Sequence, residues 1–186
     1  AGSSQSVCAN NAIVTLLATS TTGSGNWTTS GTGTFSPASN VLNPTYTPSN
    51  ADTAAGSVTL TFTSTNNGAC ASDNDQITIT FTDAPTANAG IDQTVCANNA
   101  NVSLNGIVTV AGGGNWTTSG TGTFSPSSST LNAIYTPSSA DTAAGTVTLY
   151  LTTTLNGTCL AVVDSMVVTI TDAPTVDAGP TVFRCA

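Results

Sequence analysis

Val58-Thr59-Leu60-Thr61-Phe62-Thr63 puts apolar side chains on one side of an extended chain and threonines on the other. Val147-Thr148-Leu149-Tyr150-Leu151-Thr152 keeps that register 89 residues later. Ile77, Ile79 and Phe81 alternate with Thr78, Thr80 and Thr82, and Met166, Val168 and Ile170 do the same in the second copy. Each segment thus has one dry and one wet face, the pattern of an antiparallel sheet. Threonine fills 38 of the 186 positions while Glu and Lys are absent. That balance favours strands, because β-branched side chains lose rotamer freedom in helices and pack well on a pleated surface.

Working outward, Asn67-Gly68, Asn105-Gly106 and Asn156-Gly157 suit tight turns, and Ser30-Gly31-Thr32-Gly33 separates Trp27 from Phe35. Strands are expected near Cys8, Val14–Leu16, Trp27, Phe35, Tyr46, Val58–Thr63 and Ile77–Phe81. Seven short strands with one tryptophan near the third predict an all-β chain of tandem immunoglobulin-like (PKD-like) β-sandwich domains, about seven antiparallel strands each. Trp27 and Trp116 read as core anchors, with sugar stacking as the alternative.

The chain is a repeat. Asn26–Thr86 returns as Asn115–Thr175 with 40 of 61 residues identical. Asn26 to Pro37 recurs unchanged as Asn115 to Pro126, and Ala51-Asp52-Thr53-Ala54-Ala55-Gly56 recurs as Ala140 to Gly145. Ala1-Gly2, Ala89-Gly90 and Ala178-Gly179 each precede a cysteine: Cys8, Cys96 and Cys185. The expected organisation is repeat 1 over residues 1–86, repeat 2 over 87–175, and over 176–186 the first strand of a third repeat or an inter-subunit segment. The joining stretch, Thr82 to Gly90, is short and carries a proline, so it reads as a semi-extended linker. Near-copies usually build length or valency, whereas a catalytic site needs unlike parts converging once.

Composition narrows the function. There is no Lys, Glu or His; Arg184 is the single basic side chain, and nine Asp leave a formal charge of −8. Nucleic-acid binding is not expected without Lys and Arg for the phosphates. Acid–base catalysis has only Asp, Tyr and Cys to draw on, so the chain is not expected to be an enzyme or to hold a cofactor. No apolar stretch is long enough to cross a membrane as a helix. Asp73-Asn74-Asp75 has the look of a calcium cluster, but its counterpart Val162-Val163-Asp164 keeps one acid, and no metal site is expected.

Two cysteines per repeat at matching places suggest one bridge within each repeat, Cys8–Cys70 and Cys96–Cys159, and an oxidising compartment. Such a bridge, closing about 60 residues, contributes roughly 4 kcal/mol in the chain-entropy model. Four cysteines allow other pairings, and periodicity favours this one. Cys185 is left unpaired or inter-unit.

Ala89-Gly90-Ile91-Asp92-Gln93-Thr94-Val95-Cys96, Asn115-Trp116, Gly122-Thr123-Phe124-Ser125-Pro126, Tyr135-Thr136-Pro137 and Asp172-Ala173-Pro174-Thr175 together resemble the PKD-like and Ig-like repeats of giant Bacteroidota surface proteins, including SprB-type gliding adhesins. The resemblance implies export by type IX secretion, display at the cell surface, and no catalytic residues. It also implies possible O-glycosylation at Asp-Ser/Thr sites, here Thr53, Thr142 and Ser165; the alternative is that Asp52 and Asp141 shape a turn. The expected function is a structural repeat unit of an extracellular surface filament or giant adhesin, acting as a stiff disulfide-stapled rod. The alternative is an adhesive module that binds a glycan or surface partner through its loops. Expected partners are copies of itself or neighbouring repeats and, on the adhesive alternative, surface glycans, with no nucleic acid and no membrane insertion.

Overall fold

A computed structural model describes residues 1–179; Cys185 and the rest of the tail lie outside the described residues. The first repeat forms β1 (Gln5–Cys8), β2 (Val14–Thr15), β3 (Gly25–Thr29), β4 (Thr34–Ser36), β5 (Thr45–Thr47), α1 (Asn50–Ala54), β6 (Ser57–Ser64) and β7 (Asn74–Thr82). All seven expected strands are present. The second forms β8 (Thr86–Asn88), β9 (Gln93–Cys96), β10 (Val102–Ser103), β11 (Ile107–Thr109), β12 (Gly113–Thr118), β13 (Thr123–Ser125), β14 (Ile134–Thr136), α2 (Ser139–Ala144), β15 (Thr146–Thr154) and β16 (Val163–Thr171).

Each repeat is an immunoglobulin-like sandwich. In the first, the sheet β1-β7-β6-β3 faces β2-β5-β4. The apolar set read from the sequence points inward: Val58, Leu60, Phe62, Ile77, Ile79 and Phe81 are all buried with Trp27 and Tyr46. Trp27 lies opposite Phe62 in the ladder, their ring centroids 5.2 Å apart, and its indole N–H donates to Leu42 O at 3.1 Å. The tryptophan thus fills the core without leaving its polar atom unpaired. In the second repeat, β12-β15-β16-β9 and β10-β14-β13 repeat the plan, with Trp116 opposite Leu151 and its N–H donating to Leu131 O.

Three features differ from expectation. The first strand of each repeat runs parallel, not antiparallel, to the last: Cys8 registers with Thr82, and Cys96 with Thr171. The stretch taken as a linker contains a strand of its own. β7 ends at Thr82, and β8 begins at Thr86 and pairs with β11. Ala89 is buried there, and its N–H donates to the Asp164 carboxylate at 2.7 Å.

The third difference concerns the domain division. One compact unit comprises Ala1–Pro85 together with Leu155–Ala161; the other comprises Thr86–Thr154 and the chain from Val162 onward. The expected boundary at residue 86 moves by one residue, but a seven-residue loop of the second repeat belongs to the first unit. Residues 176–179 carry no strand.

Candidate functional site

Two constructions stand out, one buried in each repeat and one formed by cysteines. The buried one explains the two longest identical runs. Ser49 caps α1 by accepting from Asp52 N at 3.1 Å, while the Asp52 carboxylate accepts from Ser49 N at 3.1 Å, a reciprocal capping box. The same carboxylate accepts from Thr32 N, Gly33 N and the Tyr46 hydroxyl at 2.7–2.9 Å. Asp141 does the same with Ser138, Thr121, Gly122 and Tyr135. A side chain on Gly31 would run into the Asp52 carboxylate, so the loop can wrap it only as glycine. The run Asn26–Pro37 supplies the cradle and the run Ala51–Gly56 supplies the charge.

Both carboxylates are only 4 % exposed. Burial alone would raise the Asp52 carboxyl, but the hydrogen bonds from Tyr46, Thr32, Ser49 and Gly33 outweigh it and hold it at about 2. Asp141 is likewise held at about 2, its burial outweighed by hydrogen bonds from Ser138, Thr121, Tyr135 and Gly122. Each carboxylate accepts three hydrogen bonds on Oδ2 and one on Oδ1, so these acids act as structural anions that tie the loop to the helix.

The second construction corrects the disulfide expectation. Cys8 is bonded to Cys159, and the expected bridges Cys8–Cys70 and Cys96–Cys159 are not formed; Cys70 and Cys96 are free thiols. Strand length is the physical reason. Cys8 sits beside Thr82 at one end of β7, whereas Cys70 precedes the other end, Asn74. The eight residue steps from Asn74 to Thr82 span about 26 Å at ~3.3 Å per step. A disulfide requires Cα atoms within about 7 Å. β16 imposes the same span between Cys96 and Cys159. The Cα atoms of Cys8 and Cys159 are 5.1 Å apart.

The bond lies inside the first compact unit, where Leu155–Ala161 packs with residues 1–85. Asn10 clamps the backbone of Leu160 in both directions: its Nδ2 donates to Leu160 O at 3.0 Å, and its Oδ1 accepts from Leu160 N at 3.1 Å. Asn11 Nδ2 donates to Thr158 O at 3.1 Å. Cys8 is fully buried and Pro85 is also buried. Asn10 and Asn11 had not been singled out from the sequence, although Cys8-Ala9-Asn10-Asn11 returning as Cys96-Ala97-Asn98-Asn99 was the available signal.

The remaining sequence candidates fall as follows. Trp27 and Trp116 are each 1 % exposed, in the cores. Thr53 and Thr142 are half-buried, with hydroxyls that donate back to helix carbonyls, Asn50 O at 3.1 Å and Ser138 O at 3.0 Å. Ser165 is exposed on β16. Asp73 and Asp75 accept from the N–H groups that follow them, Asn74 and Gln76, and are exposed. Among the described residues no helix is long and apolar enough to cross a membrane.

No protein-family model matches the chain, and neither does any curated protein. Among solved structures it is similar to Drosophila N-cadherin domains EC1-4 (TM-score 0.43, 14% identity, covering 90% of this chain and 47% of that one). It is also similar to protocadherin gamma B2 extracellular cadherin domains 3-6 (TM-score 0.40, 13% identity, 92% and 46%). A third is Sidekick-1 immunoglobulin domains 1-4 (TM-score 0.35, 16% identity, 97% and 52%). The chain spans about half the length of each.

Proposed function

We propose that this chain is a structural repeat segment of an extracellular bacterial filament or giant surface adhesin, in which repeats act as stiff, covalently secured spacers. One observation carries the reading: the bond from Cys8 to Cys159 encloses almost all of both repeats, 151 positions apart in sequence. In the chain-entropy model a loop of that size contributes about 5 kcal/mol by constraining the unfolded chain. A pulling force entering at the ends could peel away only β1 and β16 before it met the disulfide, which holds the stretch between Cys8 and Cys159 against extension. An acidic composition without Lys, Glu or His accords with a module that presents length rather than chemistry. The residue patterns shared with giant Bacteroidota surface proteins favour export by type IX secretion and display on the cell surface.

Single-molecule stretching between the termini tests this. Oxidised chain should release only the 7 residues before Cys8 and the 27 after Cys159, about 120 Å of contour at ~3.5 Å per residue. Reduced chain should release all 186 residues, about 650 Å on the same scale. Equal extension in the two states would remove the mechanical reading. A glycan-binding module is the second reading, and it would be favoured by saturable binding of the folded chain on a glycan array.

A further inference from the structure

Among the described residues the two halves of the Cys8–Cys159 bond each occur once more, unbonded. Cys96-Ala97-Asn98-Asn99 repeats the receiving half. Its backbone turn is already set: Asn99 N donates to Cys96 O at 2.8 Å and Ala97 N to Thr171 O at 2.8 Å. The first repeat has Asn11 to Cys8 and Ala9 to Thr82, both at 2.9 Å. Asn66-Asn67-Gly68-Ala69-Cys70-Ala71 repeats the inserting half. Cys70 N donates to Asn67 O at 3.1 Å, as Cys159 N does to Asn156 O at 3.0 Å, and Gly68 and Gly157 share a left-handed φ of 61°. Both unbonded halves therefore hold the conformation that the bonded ones use.

Only their coverage differs. Where Cys8 and Pro85 are buried and Asn10 is half-buried, Cys96 is half-exposed and Asn98 and Pro174 are exposed. The Cys96 thiol donates to Asp172 O at 3.6 Å, and the Cys70 loop is exposed from Gly68 to Ala71. Neither pair within one repeat can close on itself, because β7 and β16 hold the cysteines at opposite ends.

We propose that Cys96 and its asparagines are a docking site for the Cys70 loop of a second copy of this chain, joined head to tail by a Cys96–Cys70 disulfide. The contact reproduces the first repeat's: Asn98 clamps the N–H and C=O of Ala71, and Asn99 donates to Ala69 O. The two thiols give up two protons and two electrons in forming the S–S bond. A small-molecule disulfide such as oxidised glutathione takes them up and becomes two thiols. The interface is heterologous, each copy offering a different end, so growth is linear and open. This inference deepens the filament reading and rests on it.

The test uses the full chain with Cys185→Ser, equilibrated in a glutathione redox buffer and stepped from micromolar to millimolar protein. Non-reducing electrophoresis should show a ladder, and peptide mapping should find Cys96 joined to Cys70, with Cys8–Cys159 in the same digest certifying the fold. In the same background Cys70→Ser and Cys96→Ser should each remain monomeric. Their mixture should give a dimer and nothing larger, at least tenfold above either alone. Asn98→Ala should lower the dimer yield several-fold without touching Cys8–Cys159. Monomer throughout, or Cys70–Cys70 and Cys96–Cys96 pairs in excess of Cys96–Cys70, overturns the proposal. The filament reading would survive that result if oxidised monomer still resists stretching as expected above, so the two fail separately.

Discussion

Cys8 and Cys96 occupy the same place on two near-copies of one sandwich, yet one is sealed in a disulfide and the other carries a half-exposed thiol. The strands, the turn after the cysteine and the neighbouring aspartate carbonyl are alike in both. What differs is a loop, Leu155–Ala161, which covers one and has no counterpart over the other among the described residues. The repeat is therefore built as a complementary pair of ends, and the state of each cysteine reports its neighbour rather than its own fold.

The strongest way to break that comparison is to remove the bond. Cys8→Ser should cost about 5 kcal/mol by the loop-entropy argument, whereas Cys96→Ser should change stability by less than about 0.5 kcal/mol; denaturant melts of the two variants check this. Equal effects would mean that the covered end gains nothing from the loop. Asp52→Ala and Asp141→Ala probe the part in which the copies should not differ. Each removes one of the two partners of a buried tyrosine hydroxyl and the acceptor of several backbone donors, at about 3 kcal/mol. The two losses should agree closely, and a large inequality would show that the sandwiches are not equivalent inside.

Acid titration sharpens the same point. A carboxyl held at about 2 when folded, against an ordinary value near 3.8, stabilises the fold fully above pH 4. That contribution is lost as pH falls from about 4 through about 2, and both repeats should lose it in step. A thermal melt series from pH 5 to pH 2 should show melting temperature falling in that window, and the fall should be blunted in Asp52→Asn with Asp141→Asn. The smallest effect separates the two asparagines. Asn10→Ala removes two hydrogen bonds and should cost about 1–2 kcal/mol, while Asn98→Ala should be nearly neutral in monomer.

The strands were legible because alternation at period two leaves little choice. Val58–Thr63 and Ile77–Phe81 have no other way to bury their apolar atoms. The helices α1 and α2 were missed, although Ser49 followed three residues later by Asp52 is a capping signal. Five or six residues show too little apolar periodicity to declare a helix. Periodicity also misled on the cysteines. It identifies which positions are equivalent but not which copy supplies the partner, and a bond within a repeat and one between successive repeats have the same period. The length of β7 decides between them, once β1 is known to lie parallel to it. That pairing has no local sequence signal, because it depends on which edge of the sheet the first strand joins. Asn10 and Asn11 were overlooked for a related reason: their partners are backbone groups some 150 positions away.

The stagger of the cysteines fixes a count. If every receiving end accepts the loop of the next repeat, an array of any length has one fewer bond than it has repeats. One thiol is then left over at each terminus of the array, as Cys70 and Cys96 are here for two. With Cys185 replaced by serine, free thiol per filament would stay constant while mass grows, so the ratio of thiol to protein is a ruler that reads filament length directly.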